Sequence, residues 1–302
     1  MRRDTLRWPG LLVVAAAAAL LASACEITVD AGPFSVHEEK RFQVTGTPDL
    51  SLTTFDGSVE IRSWDKPEIL VEIEKRASDK TLAEAIKVRT EQSGSTITVD
   101  VKKPDGGQPT FGFKVSPSAR IVASVPRHCN IVARSEDGSI KIERVDGRID
   151  LHTGDGSVRG VDIAGTLRVH TGDGLLRFDD VTGSIDLESG DGGARVSGTL
   201  QSVKLKTGDG SVEVRAEEGS SMTDDWEIRT GDGGLRLELP EKFGASLDAS
   251  TGDGVVRVRG FGEPVTGGRD EEGRRELKRP LSGGGRLLRL RSDSGSIVVK
   301  TL

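Results

Sequence analysis

Tyrosine is absent from this sequence of 302 residues, tryptophan occurs three times and phenylalanine eight times. A globular core organised around aromatic rings is excluded by that shortage, and so are the aromatic platforms that line most sugar-binding clefts. Two cysteines cannot build a disulfide framework. Cys129 shares the parity of Ile131 and Ala133, which predicts a buried, inert thiol. Charged residues make up 30% with both signs interspersed and a net charge of −6, so no basic patch points to nucleic acid. No phosphate loop, zinc spacing or serine-hydrolase elbow is present, and no cofactor is implied. The longest unbroken apolar run, Leu11–Ala22, stops well short of the roughly 20 residues that span a bilayer.

Glycine is plentiful, at 39 residues, and much of it belongs to one returning phrase. It reads HTGDGSVRG from His152, HTGDGLLRF from His170, ESGDGGARV from Glu188 and KTGDGSVEV from Lys206. The step from each copy to the next is constant, at about 18 residues, which is the mark of a repeat architecture. Looser copies start at Ser135, Arg229, Ser250 and Arg291, and an outlying one, TFDGSVEI, at Thr54. In the unit 148–165, Ile149, Leu151 and Thr153 alternate with polar residues, as in a strand with one buried face. Gly154-Asp155-Gly156 breaks that strand, with the glycines expected to supply positive φ. Val158, Val161 and Ile163 then close the unit before Gly165.

Independent β-hairpins would explain the DG turns, but a lone hairpin has no core. Identical apolar slots at a constant step suit stacking, in which neighbours bury one continuous core. The expected fold is all-β, a single-stranded β-solenoid resembling a β-helix, with coils of about 18 residues at a perimeter of about 60 Å. Stacking would align Asp137, Asp155, Asp173, Asp191, Asp209, Asp232 and Asp253. A ladder of turns in which each Asp bonds its own backbone is one reading of that column; a weak cation site is the other. His152 and His170 hold equivalent positions and should lie side by side, facing out. The same slot holds Glu188, Lys206, Arg229 and Ser250, as an unconstrained surface position would.

Arg2, Arg3 and Arg7 precede the apolar run, and residues 1–24 read as a signal peptide. Leu21-Ala22-Ser23-Ala24-Cys25 resembles the lipobox of bacterial lipoproteins, with Ala22 where leucine is usual and Leu21 one step early. The resemblance implies lipidation at Cys25 and a tether over 25–35; Glu26 in place of aspartate implies outer-membrane delivery where the host has that membrane.

The domain is expected over 36–302, less regular in 36–118 and regular in 119–302. Strands are expected at Val36–Phe42, within Leu50–Ile61, at 69–73, and from Thr96 to Val101. Ser78–Lys87 is the one helical stretch, with Ser78 as cap and Leu82, Ala85 and Ile86 on one face. Residues 104–117 read as a loop carrying Phe111-Gly112-Phe113, and Phe261–Gly285 as an exposed insertion.

Val125-Pro126, Ile131, Ala133, Ser135, Asp137-Gly138 and Ile140 follow the pattern of an apolar strand, VP, an alternating strand and a turn. In this the chain resembles the bacterial "putative adhesin" family of β-strand-repeat domains over residues 40–302. LLRLRSDSGSIVVK from Leu287 resembles that family's closing coil. The resemblance implies a non-enzymatic, extracytoplasmic envelope protein, joined to the membrane through its lipid, that binds a surface protein or glycan. An envelope-stress or assembly factor acting through a partner protein is the alternative. A polysaccharide-cleaving β-helix would need carboxylates at about 6.5–9.5 Å; the Asp column could supply them, but Trp64 and Trp226 do not cluster.

Overall fold

In the computed structural model, residues 34–104 and 116–302 are described. The signal peptide, Cys25 and Phe111-Gly112-Phe113 lie outside them. The described residues are all-β apart from one short helix.

The most regular repeats become four strands of 14 residues each, Ile140–Thr153, Val158–Thr171, Leu176–Ser189 and Ala194–Thr207. The first three contain two alternating apolar runs joined by a bend. Arg144, Asp162 and Asp180 make the bend in the left-handed region, at φ 56°, 56° and 59°. Gly165 and Gly183 follow at φ 112° and 127°, where a side chain would be strained. The glycine column thus bends the strand rather than ending the unit, and the chain breaks only at GDG.

Consecutive strands pair in parallel, Val158 opposite Leu176, Leu167 opposite Ile185 and Thr171 opposite Ser189. Hairpins would have paired the halves of one unit antiparallel. Inward residues from both halves, among them Leu151, Val158, Leu167, Phe178, Leu187 and Val196, join one apolar cluster. The longer step over 216–225 is filled by Trp226, which is fully buried and stacks at a tilt on Phe243, centroids 5.1 Å apart.

Chain order and stacking order differ at both ends. The outlying copy at Thr54 sits next to the copy at Ser135, since Asp49–Thr54 pairs with Asn130–Ser135. The expected closing coil is not last: Leu287–Ser292 lies between Trp226–Thr230 and Ala245–Thr251. Ile297–Thr301 likewise lies between Leu235–Leu239 and Val256–Gly260.

Antiparallel strands cover all four outer edges. At one end Phe34–Gln43 covers Glu68–Ala77, and Lys87–Ser93 covers Thr96–Lys102. At the other, Gly262–Thr266 covers Val256–Gly260, and Arg275–Leu281 covers Ala245–Thr251. The insertion expected as a loop is therefore edge-covering sheet. These outer strands carry charge or proline, as in HEEKR, KVRTE, Pro264 and Pro280, which opposes further pairing.

The helix is shorter than expected, Lys80–Ala85. Asp79, not Ser78, caps it, its carboxylate accepting from the Leu82 amide at 2.9 Å. Ala83 and Ile86 are buried, whereas Ala85 is exposed and Lys87 already starts a strand. Antiparallel pairing of Lys87–Ser93 with Thr96–Lys102 takes the place of the last turn.

Candidate functional site

A buried hydroxyl precedes every turn of the stack. Thr54, Ser135, Thr153, Thr171, Ser189, Thr207, Thr230, Ser292 and Thr251 follow one another in register, each no more than 4% exposed. Thr153 donates to the Gly138 carbonyl at 2.7 Å, Thr171 to Gly156 at 2.9 Å and Ser189 to Gly174 at 3.0 Å. Thr230 donates to Gly210, Ser292 to Gly233 and Thr251 to Gly295 in the same way. Each bond ties one turn to the turn stacked before it.

The second glycine of each turn exists for that closeness. In the GDG turns it has no positive φ, contrary to expectation; its counterpart in the outlying copy, Gly57, does, at 141°. A Cβ at Gly174 would fall 2.0 Å from the Gly156 carbonyl oxygen, and one at Gly156 2.1 Å from that of Gly138. Any side chain there would force the turns apart.

The seven aspartates of the column are all exposed at the tips of the turns. None accepts a hydrogen bond from its own turn among the described residues; Asp232 accepts one from Ser294 Oγ at 2.8 Å. The hydroxyls hold the turns instead, so the ladder of Asp-bonded turns is not what forms. Among the described residues no three His, Cys, Asp or Glu are gathered where they could hold a metal.

His152 and His170 stack face to face, centroids 4.9 Å apart and 12° from parallel. Burial, with His170 and then Arg134 adding repulsion, lowers the His152 pKa. Next in the row, Glu188 sits 3.5 Å from His170 Nδ1 and accepts from Lys206 at 2.9 Å. That hydrogen bond is the main reason its carboxyl titrates low. Cys129 is fully buried, and burial, helped by the Asp49 charge, pushes its pKa up to about 12.

The two sheet faces differ in how charge is arranged. Before the turns, one row runs Asp150, Arg168, Asp186, Lys204, Glu227, Arg289, Asp248, Lys278, alternating in sign at every step. Opposite charges directly across a ladder stabilise it by a few tenths of a kcal/mol each, up to about 1. After the turns, Lys141, Arg159, Arg177 and Arg195 succeed one another with no intervening acid in the row. Acids hold three of them: beside the row, Glu143 holds Lys141 at 2.6 Å and Asp179 holds Arg177 at 3.0 Å, and Glu213, the next member of the row, holds Arg195 at 2.7 Å. The place beside Arg159 is taken by Val161, itself 39% exposed. Sequence reading traced the repeat through its Asp and His positions and missed this row, although its members also stand one full repeat apart.

At the corner of the stack, Arg127 donates to both carboxylate oxygens of Asp162, at 2.7 and 2.8 Å, and to Asp146 at 2.9 Å. These bonds raise the Arg127 pKa and lower that of Asp162. The fork fixes Asp162 in its left-handed bend.

The sequence profile of the Toastrack DUF4097 domain matches residues 47–300. The chain belongs to the Toastrack DUF4097 family. No curated protein matches it. Similar solved structures include a "putative lipid binding protein" from Parabacteroides distasonis, 14% identical, covering 88% of this chain and 96% of that one, TM-score 0.42. Two others are a "putative adhesin" from Bacteroides fragilis (9%; 88% and 97%; 0.36) and a "putative cell adhesion protein" from Clostridium sporogenes (12%; 89% and 100%; 0.31). The Toastrack match takes in every GDG turn described above and leaves out the outermost strand, Phe34–Gln43. No helix among the described residues is long and apolar enough to cross a membrane.

Proposed function

We propose that this Toastrack protein is a non-enzymatic β-solenoid with one repeat per coil, turned at TGDG, lipid-anchored through Cys25 outside the cytoplasm. It presents its side faces to an envelope or surface partner as an adhesin or scaffold. The observation that supports this reading is the closure of the stack. Charged antiparallel strands cover both ends, so growth by edge pairing is opposed. What the stack offers to a partner is its sides, where outward rows keep register from layer to layer.

Fractionation of cells expressing wild type or Cys25→Ser, with labelled fatty acid and external protease, tests the reading. Label on the wild type alone, with cleavage in intact cells, is the expected result. An unlabelled wild type would remove the anchor, and complete protection would remove the external partner.

A further inference from the structure

We infer that the cation row after the turns, with the trough beside it, binds a linear glycan carrying one carboxylate per sugar, laid along the stacking axis. This rests on the proposed role of the side faces as binding surfaces.

The trough, of about 560 Å³, is floored by small residues, Gly193, Ser211 and Gly234, and ends against Leu175. Arg177, Arg195 and Arg236 stand along its wall. Beyond Arg177 the row continues to Arg159. Arg159 and Arg236 make no ion pair or hydrogen bond among the described residues, so two guanidiniums are free to engage a ligand. Guanidinium pairs with carboxylate through two parallel hydrogen bonds, which gives direction as well as charge.

Stacked like charges repel by roughly 1 kcal/mol per pair in water at a spacing of about 4.8 Å. The row across the stack avoids that cost by alternating its signs. Here neighbouring acids offset the charge of Lys141, Arg177 and Arg195, and an anionic partner would offset that of Arg159.

Charge density narrows the class of partner. Glu213 lies within the wall, and Glu143 and Asp179 flank the row. Polyphosphate carries more than one charge per ladder step and would crowd these acids, whereas one carboxylate per sugar can align with the guanidiniums and pass the acids with its hydroxyls. Leu175, which is 44% exposed, and Val298 supply apolar surface for the C–H faces of sugar rings. No aromatic side chain lines the trough, so the stacking platform that single-stranded nucleic acid uses is missing.

The experiment is a binding titration of the full chain with oligogalacturonate at two salt concentrations. Polyphosphate, single-stranded DNA and anionic phospholipid vesicles serve as competing arms. We expect saturable, salt-sensitive binding to oligogalacturonate, weakened at least tenfold in Arg159→Gln/Arg236→Gln. Arg168→Gln on the other face should bind as wild type does, and thermal melts should show all three proteins folded. Equal binding by the double variant, or no binding of oligogalacturonate by folded wild type, would overturn the inference. Equal or stronger binding of polyphosphate, DNA or vesicles would overturn the glycan assignment. A wild type that is surface-exposed and lipidated yet ignores oligogalacturonate sinks this site and leaves the adhesin or scaffold reading standing.

Discussion

Thr171 Oγ1 donates to the carbonyl oxygen of Gly156 at 2.9 Å, from a side chain with no solvent exposure. The bond joins a strand end to the turn of the layer before it. Removing a buried donor leaves the acceptor without that partner, at a cost of about 1–3 kcal/mol. Thr171→Val keeps the shape and deletes the hydroxyl, and should lower the unfolding free energy by about 1–2 kcal/mol. Thr166→Val, on an exposed position of the same strand, should stay within about 0.5 kcal/mol. Equal costs for the two variants in denaturant titrations would show that the hydroxyl ladder contributes nothing.

The all-β class and the buried parity of Ile149, Leu151 and Thr153 were legible in the sequence, because strand alternation is a local property. The purpose of each glycine was not. Gly156 and Gly165 look alike in a sequence, but one is required by a carbonyl arriving from another layer and the other by its own φ. The hydroxyl column was visible as the Ser or Thr that precedes each turn, yet alternation alone explains a buried threonine without asking what its oxygen bonds. Arg159 beside Arg177 follows from the same period that sets His152 beside His170, whereas Leu287–Ser292 inside the stack depends on pairing between distant segments, which composition and period do not encode.

Gly174→Ala separates close approach from backbone freedom. Its Cβ would meet the Gly156 carbonyl oxygen at 2.0 Å, and backbone cannot step aside as a side-chain tip can. The expected cost is about 1–3 kcal/mol or more, as for overpacking in a core. Gly46 presents the opposite case, with φ 65° and nothing within 4 Å of an added Cβ. Gly46→Ala should cost about 1 kcal/mol, the left-handed penalty less what the stiffer unfolded chain returns. Urea midpoints for the two variants give the comparison, and a milder effect at Gly174 than at Gly46 would contradict it.

Cys129 should be silent to thiol reagents in the folded protein. Its sulfur is fully buried, and its pKa, pushed up to about 12, leaves almost no thiolate at pH 8. In a Cys25→Ser background, where Cys129 is the sole thiol, iodoacetamide should label it only at the rate of global or local opening. Labelling should therefore slow whenever a mutation or solvent condition raises stability. Modification at the rate of a free thiol in native buffer would place Cys129 at the surface.

His152 ties stability to pH with a definite sign. Burial and the neighbouring His170 lower its pKa in the folded state below the ordinary value of 6.5. The unfolded chain therefore binds a proton at this site more readily than the folded one. The contribution is complete above about pH 6.5 and declines as pH falls toward the lowered folded value. Carboxylates also titrate on the acid side, so the informative quantity is the difference between wild type and His152→Gln. Denaturant unfolding at pH 7.5 and 5.5 should show a smaller loss for His152→Gln than for wild type. A proton NMR titration of the wild type should place the His152 midpoint below that of an unstructured histidine. A midpoint at or above the ordinary value would mean that the neighbouring Asp150 carboxylate outweighs burial, and the sign of the pH effect would reverse.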